Sequence, residues 1–425
     1  MCSRVLRFMA TLGVFLTFAP FARAQSSQAP LHISLDQAIQ LATAHNHALL
    51  AARSTIAQAK DEETTANLRP NPTLGLDYIG LPVRPSEFNW NNIKNTTEFD
   101  AGLGYLFERG KKRQHRLRAA QDQTAETTST VADNQRTLTF NVAGAFIDVL
   151  LAESTLDFAK QALASFQNTI GISEEQYKAG AISEGDFLKI KLQLLQFQTD
   201  VTAAQLAKQQ SLVALRQLLG FESVPENYDV AGDLAFEKLP YGVEDLQAMA
   251  IKDRPDLRAA EQGVTTAQSS YQLQRAVGKV DVTGTLDYTH ISDQDTTSFF
   301  VNFPLPVFNR NQGEIARTHY AIGGAQASEK AAEDTVMNDV DDNYGAFQSA
   351  DAVAKLYESG YLKQAQDSLD ISDYAYHHGA VSLLDFLDAE RSYRSTELAY
   401  RQALANYLMA VEQLKEAVGS RTLSR

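Results

Sequence analysis

The sequence predicts a mainly α protein with a small β part, built from two internal repeats. Three observations carry that expectation. First, YKAGAISEGDFL from Tyr177 and YHHGAVSLLDFL from Tyr376 share Tyr, Gly, Ala, Ser, Asp, Phe and Leu at an offset of 199 residues. An offset that long in a chain of 425 residues points to two copies of one structural unit. Second, Leu138, Val142, Ala145, Val149, Ala152, Leu156, Ala159, Leu163, Phe166 and Ile170 alternate spacings of four and three. That heptad seam favours coiled-coil packing. Third, four short segments alternate apolar with polar or glycine positions, the period-2 signal of strands.

Residues 1–24 read as a secretory signal. Arg4 and Arg7 precede the apolar stretch FMATLGVFLTFAPFA, and Ala22-Arg23-Ala24 forms a cleavage site before Gln25. A retained membrane anchor is the alternative, and the short apolar core argues against it. Cys2, the only cysteine, would leave with the signal. The mature chain is then expected to hold no disulfide, no thiolate nucleophile and no lipid attachment site. No run of about 18 apolar residues occurs beyond the N-terminus, so no membrane-spanning helix is expected. The formal charge of −14 argues against a nucleic-acid partner.

Repeat 1 is expected over residues 25–236 and repeat 2 over 237–425, each with the same element order. Residues 34–68 read as a helix, opened by a Ser34–Gln37 capping box and ended by Pro70 and Pro72. Residues 243–276 are its counterpart. At an offset of 208, Ala42, Leu49, Ala51 and Ala52 match Ala250, Leu257, Ala259 and Ala260.

A pair of strands follows each of these helices. In TLGLDYIGL, Leu74, Leu76 and Tyr78 oppose Gly75 and Asp77. In TEFDAGLGYLF, Phe99, Ala101, Leu103 and Tyr105 oppose Glu98, Asp100, Gly102 and Gly104. In the second repeat, Val282, Leu286 and Tyr288 oppose Asp281, Thr283, Thr285 and Asp287, and SFFVNFPLP carries Phe299, Val301 and Phe303 on one face. Segments of roughly 9–11 residues with this pattern suit an outer-membrane barrel. A soluble sheet with one wet face fits the same alternation.

Long helices over residues 110–178 and 311–377 come next, the second with a looser seam through Val336, Val340, Tyr344 and Phe347. Each meets a glycine, turns, and returns through residues 183–219 or 382–418. At about 1.5 Å per residue, a long helix spans roughly 104 Å, a return helix about 54 Å and a first helix about 52 Å. Two short helices stacked end to end therefore match one long one. Four strands cannot close a membrane barrel, whose smallest form has about eight. Transmembrane strands would thus require cyclic association, and a trimer would supply twelve.

The tips explain themselves in part. Gly180 and Gly379 stand where a helix C-terminus needs a left-handed residue. Ser183 and Ser382 then cap the return helices, with Asp186 and Asp385 three residues on as capping-box partners. Capping leaves Asp388 unexplained; it lies one turn beyond Asp385 on the same helix face. A solvated surface acid is the plain reading.

No pairing of nucleophile and base, no phosphate loop and no G-x-S-x-G or H-E-x-x-H motif occurs, so neither an enzyme nor a cofactor is expected. His377 and His378 are adjacent, and His45 and His47 lie two apart. Neither spacing places two imidazoles on one helix face, so no metal site is expected. The one basic run, RGKKRQHRLR over residues 109–118, follows the strands. That position suits a headgroup boundary or a solvated helix face.

The order helix, hairpin, long helix, tip and return helix, twice over, resembles the TolC family of outer-membrane factors across nearly all of the mature chain. LPVFNRNQG from Leu305 and YHHGAVSLLDFLDAE from Tyr376 are the most specific segments. The first is more similar to the heavy-metal efflux branch, the CusC and CzcC types. The resemblance implies a homotrimer: a TolC-like α-helical barrel crossing the periplasm, joined to a shared 12-stranded transmembrane β-barrel in outer-membrane lipid. It further implies docking to a periplasmic adaptor protein and an inner-membrane RND pump, with passive conduction of cargo, heavy-metal cations being the expected class. Drug efflux, type I protein secretion and a soluble periplasmic coiled-coil scaffold are the competing readings.

The resemblance also assigns residues. Asp385 and Asp388 would form a ring of six carboxylates at the periplasmic entrance, which would attract cations. Tyr376 and Asp186 would form an entrance latch. Gly180, Ala181, Ser183, Gly379, Ala380 and Ser382 would be adaptor-docking tips. Two departures stand out. The lipidated members' cysteine is absent, and Val381 occupies the place of a family arginine, which removes one entrance link.

Overall fold

Two long helical paths set the dimensions of the molecule, whose computed structural model describes residues 31–236 and 242–421. The expected signal segment, with Cys2, lies outside these residues. In chain order the first half contains β1 (Leu31–Ile33), α1 (Leu35–His45), α2 (His47–Ala66), β2 (Thr73–Ile79) and α3 (Trp90–Thr96). It continues with β3 (Glu98–Phe107), α4 (Lys112–Lys178), α5 (Glu184–Leu219) and β4 (Tyr228–Val230). The second half contains α6 (Val243–Asp253), α7 (Pro255–Val277), β5 (Val282–Ile291) and β6 (Gln294–Asn302). After these come α8 (Gln312–Leu356), α9 (Leu362–His377) and α10 (Leu383–Val418). At 67 residues, α4 is about 100 Å long.

Three expected helices are broken, each for a local reason. The expected helix over 34–68 is two helices, α1 and α2, hinged at Asn46. Asn46 caps α2 by accepting from Leu49 N at 3.0 Å, and its Nδ2 donates to the Leu218 carbonyl at 3.0 Å. The helix over 243–276 divides at Arg254 into α6 and α7. Pro255 drives Arg254 out of the helical region, to φ −67° and ψ 123°, and then opens α7. The helix over 311–377 is interrupted by a π turn at Tyr357–Tyr361, where Gly360 takes φ 126°, a value only glycine adopts readily. The Ser34–Gln37 capping box forms as expected.

The alternating segments build one antiparallel sheet in the order β2-β3-β5-β6, so the two hairpins meet along β3 and β5. Register separates its faces completely at the centre. Leu74, Leu103, Leu286 and Phe299 lie side by side across the strands on one face. Gly75, Gly102, Asp287 and Ser298 align on the other, followed by Asp77, Asp100, Thr289 and Thr296. A Cβ on Gly102 would lie 2.8 Å from the Asp287 carboxylate, which would have to swing aside. β6 begins earlier than its apolar run implies. The two-residue turn at Ser292 and Asp293, with Ser292 at φ 58°, extends the pairing to Ile291 and Gln294.

Three short elements were not legible. Three-residue strands β1 and β4 pair in parallel and are too short for a periodic signal. The short α3, in the loop joining β2 to β3, is capped by Asn89.

The seam of α4 is buried at Val142, Val149, Ala152, Leu156 and Phe166. Over its C-terminal half α4 packs on α5, and it also packs on α2, α7 and α10. One core joins α1, α4 and α5 with Tyr228 and Val230; its counterpart joins α6, α8 and α10 around Val336, Val340, Tyr407 and Leu414.

Candidate functional site

The two tips are built alike from their glycines. Gly180 and Gly379 take φ 74° and 73°. At the first, Ala181 N donates to Gln176 O at 2.8 Å and Gly180 N to Tyr177 O at 2.9 Å. At the second, Ala380 N reaches Ala375 O at 2.8 Å and Gly379 N reaches Tyr376 O at 3.0 Å. These are paired C-terminal caps that satisfy carbonyls a helix end leaves free. Gly180, Ala181, Ser183, Gly379, Ala380 and Ser382 are all exposed.

The return helices start with unequal caps. Ser382 and Asp385 form the full box: Ser382 Oγ accepts from Asp385 N at 3.3 Å, and Asp385 accepts from Ser382 N at 3.2 Å and from its hydroxyl at 2.7 Å. Ser183 Oγ accepts from Asp186 N at 3.1 Å, but Asp186 turns its carboxylate to the Ser183 hydroxyl and to Lys189 Nζ at 3.0 Å. Lys189 and then Ser183 hold the Asp186 carboxyl below its usual range. The reciprocal box expected at Ser183 is therefore replaced by an ion pair.

Beneath the tips an aromatic core joins the two hairpins. It contains Phe166, Ile190, Phe197, Tyr376, Leu383 and Phe386. Phe166 stacks on Phe197 with centroids 4.5 Å apart, and Tyr376 stacks on Phe386 at 5.2 Å. Gln176 Nε2 donates to the His377 carbonyl at 3.3 Å, linking one tip to the other.

The expected Tyr376–Asp186 latch is not formed within the chain. Stacking draws the Tyr376 ring into the core, where its hydroxyl has no hydrogen-bond partner, and Asp186 is already satisfied. The Tyr376 hydroxyl is buried beside Ser173, whose own hydroxyl is likewise unpaired. Burial pushes the phenol pKa up; Ser173 opposes this and the nearby Asp186 charge adds to it.

Asp385 and Asp388 are both exposed on the first turns of α10, next to Leu384. Asp385 is occupied by its cap. Asp388 faces Arg391 Nη1 at 3.7 Å, with both side chains more than two-thirds exposed, a weak contact. Among the described residues no cluster of His, Cys, Asp and Glu could hold a metal ion.

Just beyond Asp385 and Asp388 on α10 lies a buried acid that the sequence did not single out. Glu390 is 6% exposed and its Oε2 has no partner. Desolvation pushes its carboxyl up to about 7, against the pull of Arg394. Arg394 Nε approaches Glu390 Oε1 only to 3.6 Å, because its guanidinium also pairs with Asp200 of α5 and lies 4.4 Å over the Phe197 ring. The signal was present, because Leu383, Phe386, Glu390 and Tyr393 continue a three-four-three spacing that places a carboxylate in an apolar seam.

Comparison with known proteins bears on this architecture. A family described as outer membrane efflux protein matches residues 38–221 and 246–420. The chain belongs to that family. Among its relatives, the pyoverdine export outer membrane protein OpmQ of Pseudomonas putida is 23% identical, covering 91% of this chain and 85% of that protein. The cation efflux system protein CusC of Escherichia coli is 26% identical over 76% and 73%. The cobalt-zinc-cadmium resistance protein CzcC of Cupriavidus metallidurans is 22% identical over 97% and 99%. A crystal structure of CusC superposes with a TM-score of 0.75 at 20% identity, covering 93% of this chain and 96% of that one. The open-state MtrE channel of Neisseria gonorrhoeae gives 0.75 at 20% identity, over 91% and 89%.

This outer membrane efflux protein therefore has the TolC-like fold and works as an efflux channel in the outer membrane, with its helices extending into the periplasm.

Proposed function

We propose that three copies close into one duct that passively conducts cations from a periplasmic adaptor and an inner-membrane RND pump to the exterior. One observation carries the closure. At every level the chain is open at two opposite margins. The sheet ends on β2 and β6. In the upper helical layer, α2 packs on one side of α4, and α8 lies beyond α7. In the lower layer, α5 packs on α4, and α9 packs on α10. First-half elements form one margin and second-half elements the other. Such a surface joins head to tail, and it closes when the rotation permits. Three copies give twelve strands, with the apolar row at Leu74, Leu103, Leu286 and Phe299 facing lipid and the opposite face, with Asp77, Asp100 and Asp287, facing the pore.

Cation cargo is supported by these pore-facing acids and by Asp385 and Asp388 at the entrance, which together attract cations without binding them tightly. CusC and CzcC, by their names, serve cations and Co, Zn and Cd. The exposed small residues of the tips, Gly180, Ala181, Gly379 and Ala380, leave room for a hairpin of the adaptor. The similarity to OpmQ favours one second reading, export of an organic cargo.

Deletion of the gene followed by growth on metals and drugs separates the two. Sensitivity confined to Co, Zn, Cd, Ni, Cu or Ag supports cation efflux; sensitivity to organic compounds alone overturns it. In planar bilayers, Asp385→Ala with Asp388→Ala is expected to weaken block by multivalent cations, and unchanged block rejects the ring. A soluble periplasmic monomer, in place of a detergent-resistant trimer, removes the duct reading altogether.

A further inference from the structure

We propose that the base of the sheet is a docking collar for anionic phospholipid headgroups of the periplasmic leaflet. The inference rests on reading the sheet as transmembrane. It starts from an imbalance of charge. The side chains of Arg69, Arg109, Lys111, Arg113 and Lys279 make no ion pair and no hydrogen bond among the described residues. Each lies within four residues of a strand end or in the first turn of α4. At about 3.3 Å per residue, that places them within roughly 15 Å of the end of the sheet. The chain as a whole carries a net charge of −14, so five unpaired cations at one level are a local reversal.

Their neighbours are occupied, which shows that the local acids are already used. Lys112, its side chain 11% exposed, binds Asp281 at 2.6 Å, and Asp281 also accepts from Arg109 N at 2.8 Å. Arg116 pairs with Glu108 and donates to the Leu68 carbonyl at 3.1 Å. These bonds fix α4 to the strand ends, while Arg69, Arg109, Lys111 and Lys279 stand exposed and Arg113 half-exposed. The backbone helps: Gly110 and Lys111 are both left-handed, at φ 73° and 59°, turning the chain sharply from β3 into α4.

The opposite end of the sheet lacks this excess. There Arg84 pairs with Glu87 and Lys94 with Asp293. The asymmetry selects one leaflet, the one on the helical side.

An apolar segment lies beside the collar. Leu305, Val307 and Phe308 are 73%, 61% and 91% exposed, and Leu305 shares a surface hollow with Lys279 and Arg310. Arg69 and Arg113 share another with Tyr105 and Phe107. Cations next to exposed apolar and aromatic groups match a headgroup boundary, where ammonium and guanidinium meet phosphate and the apolar side chains enter the acyl layer. Outer-leaflet lipid would meet the other end of the sheet.

The test uses the full-length detergent-purified channel. Native mass spectrometry would measure retention of phosphatidylglycerol against phosphatidylcholine from mixed micelles. The comparison protein carries Arg69→Gln, Arg109→Gln, Lys111→Gln, Arg113→Gln and Lys279→Gln. Wild type is expected to retain phosphatidylglycerol at least fivefold over phosphatidylcholine, and the variant to retain the two equally. Equal preference in wild type and variant overturns the proposal, including the case in which another copy's carboxylates cover the collar. Wild type alone also decides it: its preference must fall as NaCl rises from about 0.1 to 1 M. Competition by inorganic phosphate that fully displaces the lipid would show a free-phosphate site and reject the headgroup assignment. Failure to retain either lipid or to form channels in bilayers would instead refute the transmembrane reading of the sheet.

Discussion

Arg254, in the hinge between α6 and α7, donates to Asp339 of α8 at 2.7 Å and to the Ala417 carbonyl near the end of α10 at 3.3 Å. The guanidinium is 3% exposed and also makes two bonds to Asp256, at 2.9 and 2.6 Å. Burial alone would weaken its charge; Asp256 and Asp339 outweigh that cost and raise its pKa. One side chain thus ties three helices where the chain is bent by Pro255. Arg254→Ala should cost about 3–5 kcal/mol, because it strands Asp256 in a half-buried site. Denaturant melts of the purified protein check this. A loss under about 1 kcal/mol would mean that water replaces the guanidinium. Arg254→Lys should recover part of the loss, since an ammonium cannot reproduce the two-point contact with Asp256.

Glycines with positive φ should not be equally sensitive. A Cβ at Gly180 or Gly379 meets nothing within 4 Å, so alanine there carries only backbone strain, about 1–2 kcal/mol. Gly220, at φ 87°, ends α5 against the Asn46 hinge, and a Cβ there would lie 2.9 Å from the His45 carbonyl oxygen. Gly220→Ala must therefore displace backbone as well. Thermal denaturation of the three single variants is expected to rank Gly220→Ala as clearly the worst. Equal losses would show that the hinge yields easily.

The two tip serines should also differ. Ser382 participates in a reciprocal box, whereas Ser183 accepts a single backbone bond. Ser382→Ala is expected to cost about 1 kcal/mol and Ser183→Ala less, since Lys189 still neutralises Asp186. Hydrogen exchange in the first turns of α5 and α10 reads each cap locally. Faster exchange only after Ser183→Ala would reverse the assignment.

What the sequence made legible follows from how local each signal is. The Ser34 box, the tip glycines and the seam of α4 rest on neighbours within one turn or one heptad, and all three appear as expected. Pro255 was an equally local signal for the break at Arg254. The break at Asn46 combines a local cap, Asn46 accepting from Leu49 N, with a bond to Leu218, 172 residues away, which its neighbours do not announce. Likewise, the carboxylate at 385 reads as a cap from its spacing to Ser382. The fate of Tyr376 was decided by its stacking on Phe386 within an interhelical core, which spacing alone does not reveal. Glu390 was overlooked because acidic residues are usually solvated, although its place in the seam predicted burial.

Glu390 gives the sharpest dependence on pH. Its folded pKa stands at about 7, against 4.5 in an unperturbed chain, with desolvation the main cause. The groups that act on it are Arg394 and Arg391, which lower the value, and Asp200, which raises it. A raised folded pKa means that the native state binds the proton more tightly than the unfolded state. The stabilisation is complete below about pH 4.5 and disappears as pH rises through about 7. Above that, the ionised carboxylate is buried with Oε2 unpaired. Glu390→Gln removes the ionisation while keeping the shape. It should leave stability unchanged near pH 4 and add about 3 kcal/mol near pH 8, since each pKa unit corresponds to about 1.4 kcal/mol. Urea melts of wild type and variant at the two pH values measure the difference. Hydrogen exchange over residues 383–394 should show the same protection gained only at the higher pH. A gain of equal size at both pH values would trace the effect to packing and would remove Glu390 as the titrating group.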